Sequence, residues 1–297
     1  MVDTERPHTV AALRERIAQR LSGHVSDPDD EARELLCGLH DAPRSWATVH
    51  ATDLLIDLVI DAADAATARR LTGAPLQYAI GRAAFRHLFL HVDERVLIPR
   101  PETEELVTLA LTYATPHCTI VDVGTGSGAI ALALAQESKA ARVIGTDLSP
   151  GAIVVAEMNA RALLRREYAR TEFRLGNLLD PVGDEHVELV VSNPPYIATS
   201  ERAELPQSVA HWEPSLALFG GADGMVVICE LVAQAEQRLT AGGTLLMEID
   251  ARRAAESLAC AAEPQWRDAS VLPDAFGRER FLVARRTAAT TRARDVS

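Results

Sequence analysis

The chain of 297 residues has no run approaching the roughly 18 apolar residues of a membrane-spanning helix, which excludes a helical span. Its N-terminus carries Asp3, Glu5 and Arg6 and lacks the apolar core of a secretory signal. Basic residues are also short. With 30 Lys and Arg against 42 Asp and Glu, the net charge of -12 argues against a protein that grips nucleic acid through a basic surface. Cys37, Cys118, Cys229 and Cys260 are scattered without a C-x-x-C pair, so neither a zinc site nor a disulfide framework is indicated. These absences point to a reducing compartment, the cytoplasm. What is present, 47% hydrophobic and 24% charged residues, is ordinary for a globular chain long enough for two domains.

The N-terminal third reads as helices. Val10, Leu13, Ile17 and Leu21 recur at helical spacing, and Ser22-Gly23 closes the segment. Asp27-Pro28 opens a second helix carrying Leu35, Leu36 and Leu39. Thr52 is expected to cap a longer one through Leu54, Leu55, Leu58, Val59 and Ile60 to about Leu71, with Gly73 as its stop. The acidic residues of this bundle form a solvated face or, on a sharper reading, a surface for a docking partner. Beyond Pro75 the period changes. Phe85, His87, Phe89 and His91 alternate with Arg86, Leu88, Leu90 and Val92, which places the two histidines on a hairpin-like strand segment with no third metal ligand nearby. Pro101 and the acids after it open a helix to about Tyr113. Arg100, just ahead of it, gains nothing from the helix dipole and is a candidate contact for a carboxylate or a partner.

In the second half, strands end in loops suited to a ligand. The run from Cys118 to Val123 leads into Gly124-Thr125-Gly126-Ser127-Gly128 and a helix from Ala129, so a ligand can approach backbone at a helix N-terminus. The spacing is G-x-G-x-G, unlike the G-x-G-x-x-G of dinucleotide folds, and no Gly-Lys-Ser/Thr follows to make a P-loop. A strand from Arg142 ends in Asp147, placed to accept from a ribose diol. Another, Thr171 to Leu175, leads to Gly176-Asn177-Leu178, where an adenine edge would lie. The apolar run from Leu189 then stops at Asn193-Pro194-Pro195-Tyr196, because two prolines donate no ladder hydrogen bonds. An amide, a carbonyl without a strand partner and an aromatic face suit a planar group bearing an NH2. Ala198 to Trp212 is a polar connection, expected to be a flexible part of the site. A helix over Gly224 to Leu239 and strands at Gly243 to Ile249 and Arg280 to Ala284 complete an α/β pattern with a mostly parallel, doubly wound sheet.

These stretches resemble the HemK/PrmC family of S-adenosylmethionine-dependent methyltransferases, which modify the glutamine side-chain amide in the Gly-Gly-Gln loop of peptide chain release factors. The resemblance is carried by Gly73 to Tyr78, Leu97 to Glu105, Val121 to Ala131, Val191 to Ile197, Glu213 to Gly224, Glu248-Ile249 and Gly277 to Arg280. It implies a class I methyltransferase fold, a Rossmann-like doubly wound sheet, over residues 101–286. Before it stand a helical substrate-docking domain over 1–75 and a connecting β-hairpin over 76–100; a disordered tail is expected over 287–297. S-adenosylmethionine is implied at Gly124, Thr125, Gly126, Ser127 and Gly128, with Asp147 on its ribose and Leu178 and Asn193 beside it. The substrate glutamine is implied between Asn193, Pro194, Pro195 and Tyr196, with Asn193, Pro194 and Tyr196 catalytic and no metal. A release factor is the implied partner of a monomer that touches neither membrane nor nucleic acid. Two positions depart from the family: Asn177 stands where Asp is common, and Asp250 where Gly is usual. Asn-Pro-Pro-Tyr is shared with nucleic-acid amino-methyltransferases and with an enzyme that methylates a ribosomal-protein glutamine, so both stay as alternatives. The Pro-Arg-Pro-Glu-Thr-Glu segment favours the release factor.

Overall fold

The computed structural model describes residues 7–262 and 264–287. It opens with helices α1 (Val10–Leu21), α2 (Pro28–Leu39), the short α3 (Trp46–Val49) and α4 (Asp57–Leu71). The Thr9 and Asp27 side chains accept from the backbone N–H of Ala12 and Asp30, capping α1 and α2 at their predicted starts. Leu13, Ile17, Leu35, Leu36 and Ile60 meet in one buried cluster. Thr52, however, caps nothing: α4 begins at Asp57, after an extended stretch. Residues 53–55 are committed elsewhere, since Asp53 O accepts from Val10 N and Leu55 N donates to His8 O. Tertiary pairing with the segment before α1 thus overrides the local cap signal, and Leu54 and Leu58 are left exposed.

After α5 (Leu76–Ile80), β1 (Arg82–Phe85) and β2 (Leu88–His91) form an antiparallel hairpin. The alternating run therefore turns at Arg86, whose φ is 52°, and His87 sits in the turn, apart from His91 on β2. Neighbouring helices hold the turn: Arg86 N donates to Glu104, and its guanidinium pairs with Glu137. Phe85, Leu88 and Leu90 are buried in the same core as the sheet that follows.

That sheet has seven strands in the order β5-β4-β3-β6-β7-β9-β8. The strands are β3 (Thr119–Val123), β4 (Arg142–Asp147), β5 (Thr171–Leu175), β6 (Val187–Ser192), β7 (Leu239–Glu248), β8 (Trp266–Pro273) and β9 (Glu279–Arg286). Strands β5 to β7 in that order run parallel, while β9 is antiparallel to both β7 and β8. Helices cover both faces. On one side, α6 (Pro101–Tyr113), α7 (Ala129–Glu137) and α8 (Pro150–Leu163) pack over Ile120, Leu189 and Val191. On the other, α11 (Val226–Arg238) and α12 (Ala254–Cys260) pack over Val121 and Val190. Burial on two faces explains why the parallel strands read as continuous apolar runs.

The chain builds outward from β3 through β4 to β5, then crosses back to lay β6 on the other side of β3. The carboxyl ends of β3 and β6 therefore flank the point where strand order reverses, where open α/β sheets bind ligands. Strand β8 gives little sequence signal because most of its residues are exposed or half-buried. The connection from Ala198 to Trp212 is folded rather than a plain loop, into a 3-10 turn (Thr199–Glu204) and α9 (Gln207–Trp212). α10 (Ser215–Leu218) follows. Cys229 and Cys260, for which spacing indicates no pairing, are joined as a disulfide between α11 and α12, with Cα atoms 5.4 Å apart. Of the expected tail, Thr287 N donates to Gln265 O, and residues 288–297 lie outside the described residues. Among the described residues, no helix is long and apolar enough to cross a membrane.

Candidate active site

The glycine loop leaves β3 with Gly124, Gly126 and Gly128 at φ of 72°, 55° and 83°, a left-handed conformation that glycine adopts without a Cβ penalty. Asp122, at the end of β3, is fully buried; its Oδ2 accepts from Thr125 Oγ1 at 2.6 Å and from Ala131 N at 3.0 Å. Its Oδ1 has no partner, and burial pushes the carboxyl up to about 7. Asp147, at the end of β4, accepts from Gly126 N at 2.9 Å and from Ser149 N at 2.8 Å. It thus fastens the loop to the neighbouring strand while keeping further lone pairs; burial raises its pKa despite these donors. On α8, Asn159 donates to Ser127 O and to His91 O and accepts from His91 N, so hairpin and loop are held together.

A cavity opens above these strand ends. Gly124, Gly126, Asp147, Leu178, Asn193 and Pro195 line it, six of the residues singled out by sequence. Thr125, Ser127 and Gly128 lie behind it: Thr125 and Ser127 are buried in the bonds just described, and Gly128 starts α7. A Cβ on Gly124 or Gly126 would meet nothing within 4 Å, so the loop leaves room for a ligand against its backbone. Asn177 also lines the cavity, and its Nδ2 donates to Glu230 Oε1 at 2.8 Å. That contact occupies one N–H of the amide and leaves Oδ1 as an acceptor. Room at the glycines, a carboxylate one strand away and apolar Leu148, Leu178 and Leu216 suit an adenosyl group bearing hydroxyls. Among the described residues, no group of three His, Cys, Asp or Glu is placed to hold a metal ion.

An adjoining cavity holds the other half of the chemistry. Asn193, Pro194, Pro195 and Tyr196 line it together with Leu97, Arg100, Leu205, Val209 and Leu218. Asn193, Pro195, Leu97 and Ala217 border both cavities, so a group in one meets a group in the other at Asn193 and Pro195. The segment after α10 packs on the backbone here. A Cβ on Gly220 would fall 2.3 Å from Pro195 O, and one on Gly224 would fall 2.3 Å from Tyr196 O.

The residues that support this motif lie in two of the stretches that carry the resemblance, but no sequence signal gave either a role at the site. Asn193 Nδ2 donates to Thr103 Oγ1 at 2.9 Å, and Thr103 Oγ1 donates to Glu248 Oε2 at 2.7 Å. Burial raises the Glu248 pKa, opposed by Thr103, Arg280 and the Tyr196 hydroxyl; burial also pushes Tyr196 up to about 12. Arg100, a candidate contact for a carboxylate or partner, has its carboxylate within the chain: it pairs at 2.7 Å with Glu213, whose side chain is 1% exposed. Thr103 reads locally as part of a helix start and Glu248 as the end of a strand; only their meeting point distinguishes them. Asp250, the other departure, binds Arg252 and Arg253 and fixes the turn after β7.

Comparison with known proteins bears directly on this arrangement. Residues 12–81 match the PrmC N-terminal domain, and residues 105–210 match the methyltransferase small domain. The release factor glutamine methyltransferase of Cereibacter sphaeroides is 38% identical over 278 residues, covering 94% of this chain and 98% of its own. The chain belongs to the release factor glutamine methyltransferase family. The family's Moorella thermoacetica member is 40% identical over 287 residues, covering 93% of this chain and 97% of its own. A solved methyltransferase from Pyrococcus furiosus shares the fold at 15% identity, with a TM-score of 0.51 over 69% of this chain and 92% of that one. As a member of the family, the chain is an S-adenosylmethionine-dependent methyltransferase of class I fold.

Proposed function

We propose that this chain transfers a methyl group from S-adenosylmethionine to the side-chain amide nitrogen of the glutamine in the Gly-Gly-Gln motif of a peptide chain release factor. The substrate is supported by relatives of that activity aligned over almost their whole length. The chemistry is supported by one observation, that two cavities meet at Asn193 and Pro195. S-adenosylmethionine bound in the first supplies an electrophilic methyl group. Gly124, Gly126, Asp147, Leu178 and Asn193 would hold it there, with Thr125, Ser127 and Gly128 shaping the loop from behind.

An amide nitrogen is a poor nucleophile because its lone pair is delocalised into the carbonyl. Asn193 Oδ1 and the Pro194 carbonyl accept its two N–H groups, which raises electron density on nitrogen and fixes its direction. Tyr196 stacks on the amide plane. Such positioning can supply several kcal/mol of the barrier without an acid or base. The proton leaves after transfer. The helices over residues 1–75 serve as the docking domain, the hairpin over 76–100 connects it, and residues 101–286 carry catalysis. The protein acts as a cytoplasmic monomer on a protein partner, and its net charge of -12 supports the absence of nucleic-acid contact.

The test is incubation with labelled S-adenosylmethionine and an unmethylated release factor, beside a copy with the Gly-Gly-Gln glutamine changed to alanine. One methyl group on that glutamine by peptide mass spectrometry, absent from the control, is the expected result. No transfer while the cofactor still binds would sink the substrate assignment.

A further inference from the structure

The hydrogen bonds behind Asn193 have a direction. A threonine hydroxyl owns one hydrogen. Here it lies toward Glu248 Oε2 at 2.7 Å, leaving Oγ1 able only to accept. The Asn193 group that faces it at 2.9 Å must then be the NH2, which leaves Oδ1 unclaimed by Thr103 on a residue that borders both cavities. The orientation of an amide is decided by such a network.

We propose that Thr103 and Glu248 are positioning residues that set the polarity of the Asn193 amide, so that it offers the substrate an acceptor rather than a donor. This rests on the reading of Asn193 as the group that takes a substrate N–H. The reverse orientation would point an NH2 at an NH2, with no acceptor between them. Thr103 and Glu248 are both buried, at 5% and 1% exposure, so no bulk water competes for these bonds.

While Glu248 is ionised, Oε2 can only accept, which holds the chain of donors in this direction. Thr103 and Glu102 face Glu248 from α6, Tyr196 from the segment after β6 and Arg280 from β9. Arg280 and the two hydroxyls favour the carboxylate, while burial and Glu102 oppose it. If Glu248 takes up a proton, it can donate to Thr103 Oγ1. The threonine hydrogen is then free to bond Asn193 Oδ1, and the amide turns over. Turnover should therefore have an acid limb set by Glu248, above the ordinary glutamate range because burial raises this group.

The test compares Thr103→Val, which keeps shape and removes the hydroxyl, with Thr103→Ser, which keeps the hydroxyl. Thr103→Val should lower kcat by about tenfold to a hundredfold with cofactor affinity unchanged, and Thr103→Ser should restore most of it. Equal impairment by both, or none by Thr103→Val, would overturn the proposal. A second measurement needs no substrate. In full-length protein labelled with 15N-asparagine, the Asn193 side-chain NH2 signals, assigned by their loss in Asn193→Ala, should exchange slowly in wild type and Thr103→Ser and rapidly in Thr103→Val. Unchanged exchange in Thr103→Val overturns the inference. Should wild type transfer no methyl to a release factor, the substrate reading fails and the exchange data still decide the relay. Glu248→Gln provides a third check if Thr103→Val does not fold: the acid limb of kcat should vanish, and its survival would count against the proposal.

Discussion

Two adjacent strands end in opposite devices. Strand β3 ends in glycines at positive φ, which bring backbone close to a ligand. Strand β6 ends in Asn193-Pro194-Pro195, where the chain is stiff and a side chain does the work. The first device is more local: its fasteners, Asp122, Asp147 and Asn159, lie within 32 residues of the loop groups they bind. The second is assembled from far away, since Thr103 is 90 residues from Asn193 and 145 from Glu248. A site held by its own neighbours tolerates change elsewhere; a site held by three distant segments does not.

The sharpest break in that comparison is Asn193→Ala. Turnover should fall by about a hundredfold or more while cofactor binding, followed by calorimetry, is largely spared. Retention within a few-fold would remove Asn193 from the reaction. Gly220→Ala should come next. Its new Cβ would lie 2.3 Å from Pro195 O and 2.8 Å from Gly224 O, both backbone atoms that cannot swing aside. The motif must shift, and kcat should drop by about tenfold or more with little change in cofactor affinity.

On the glycine side the pattern should invert. Asp147→Asn sets an NH2 against the Gly126 or Ser149 N–H, which each need an acceptor. Cofactor binding should weaken by about tenfold, the loss of a hydrogen bond or two, with kcat at saturation nearly kept. A kcat loss matching that of Asn193→Ala would erase the distinction between the two strand ends.

The smallest effect is thermodynamic. The Asp122 carboxyl is held at about 7, above its unfolded value near 4, so the native state keeps a proton that the unfolded state releases. Its stabilising contribution is complete below about pH 4 and is lost as pH climbs through about 7. Asp122→Asn should flatten the melting temperature between about pH 4 and pH 7, read by calorimetry, and a profile as steep as wild type would reassign that slope.

The same contrast explains what could be read from the sequence. The glycine loop, Asp147, the prolines and most parallel strands announce themselves through neighbours in the chain. Thr103 and Glu248 fall in stretches that carry the resemblance, but their joint role does not show, because a threonine in a first helical turn and a glutamate at a strand end are both ordinary. The start of α4 was obscured because backbone bonds to residues 8–10 outweigh the cap signal at Thr52. Strand β8 was obscured because its exposed positions break the apolar run. The pairing of Cys229 with Cys260 comes from two helices packing together, which spacing does not reveal.

The register of β3 on β6 has a consequence of its own. Val123 pairs with Ser192, and Ser192 Oγ clasps Val123 O at 2.7 Å. The next residues along, Gly124 and Asn193, therefore start one inter-strand step apart, about 4.8 Å. The sheet acts as a ruler: the gap between the two reactive partners is set by the most rigid part of the molecule, whatever the loops above it do. A slip of a single residue would point Asn193 through the opposite face of the sheet, away from both cavities. Loops can be rewritten to accept a different partner while this spacing stays, which lets one scaffold change its substrate without having to relearn where the methyl group is.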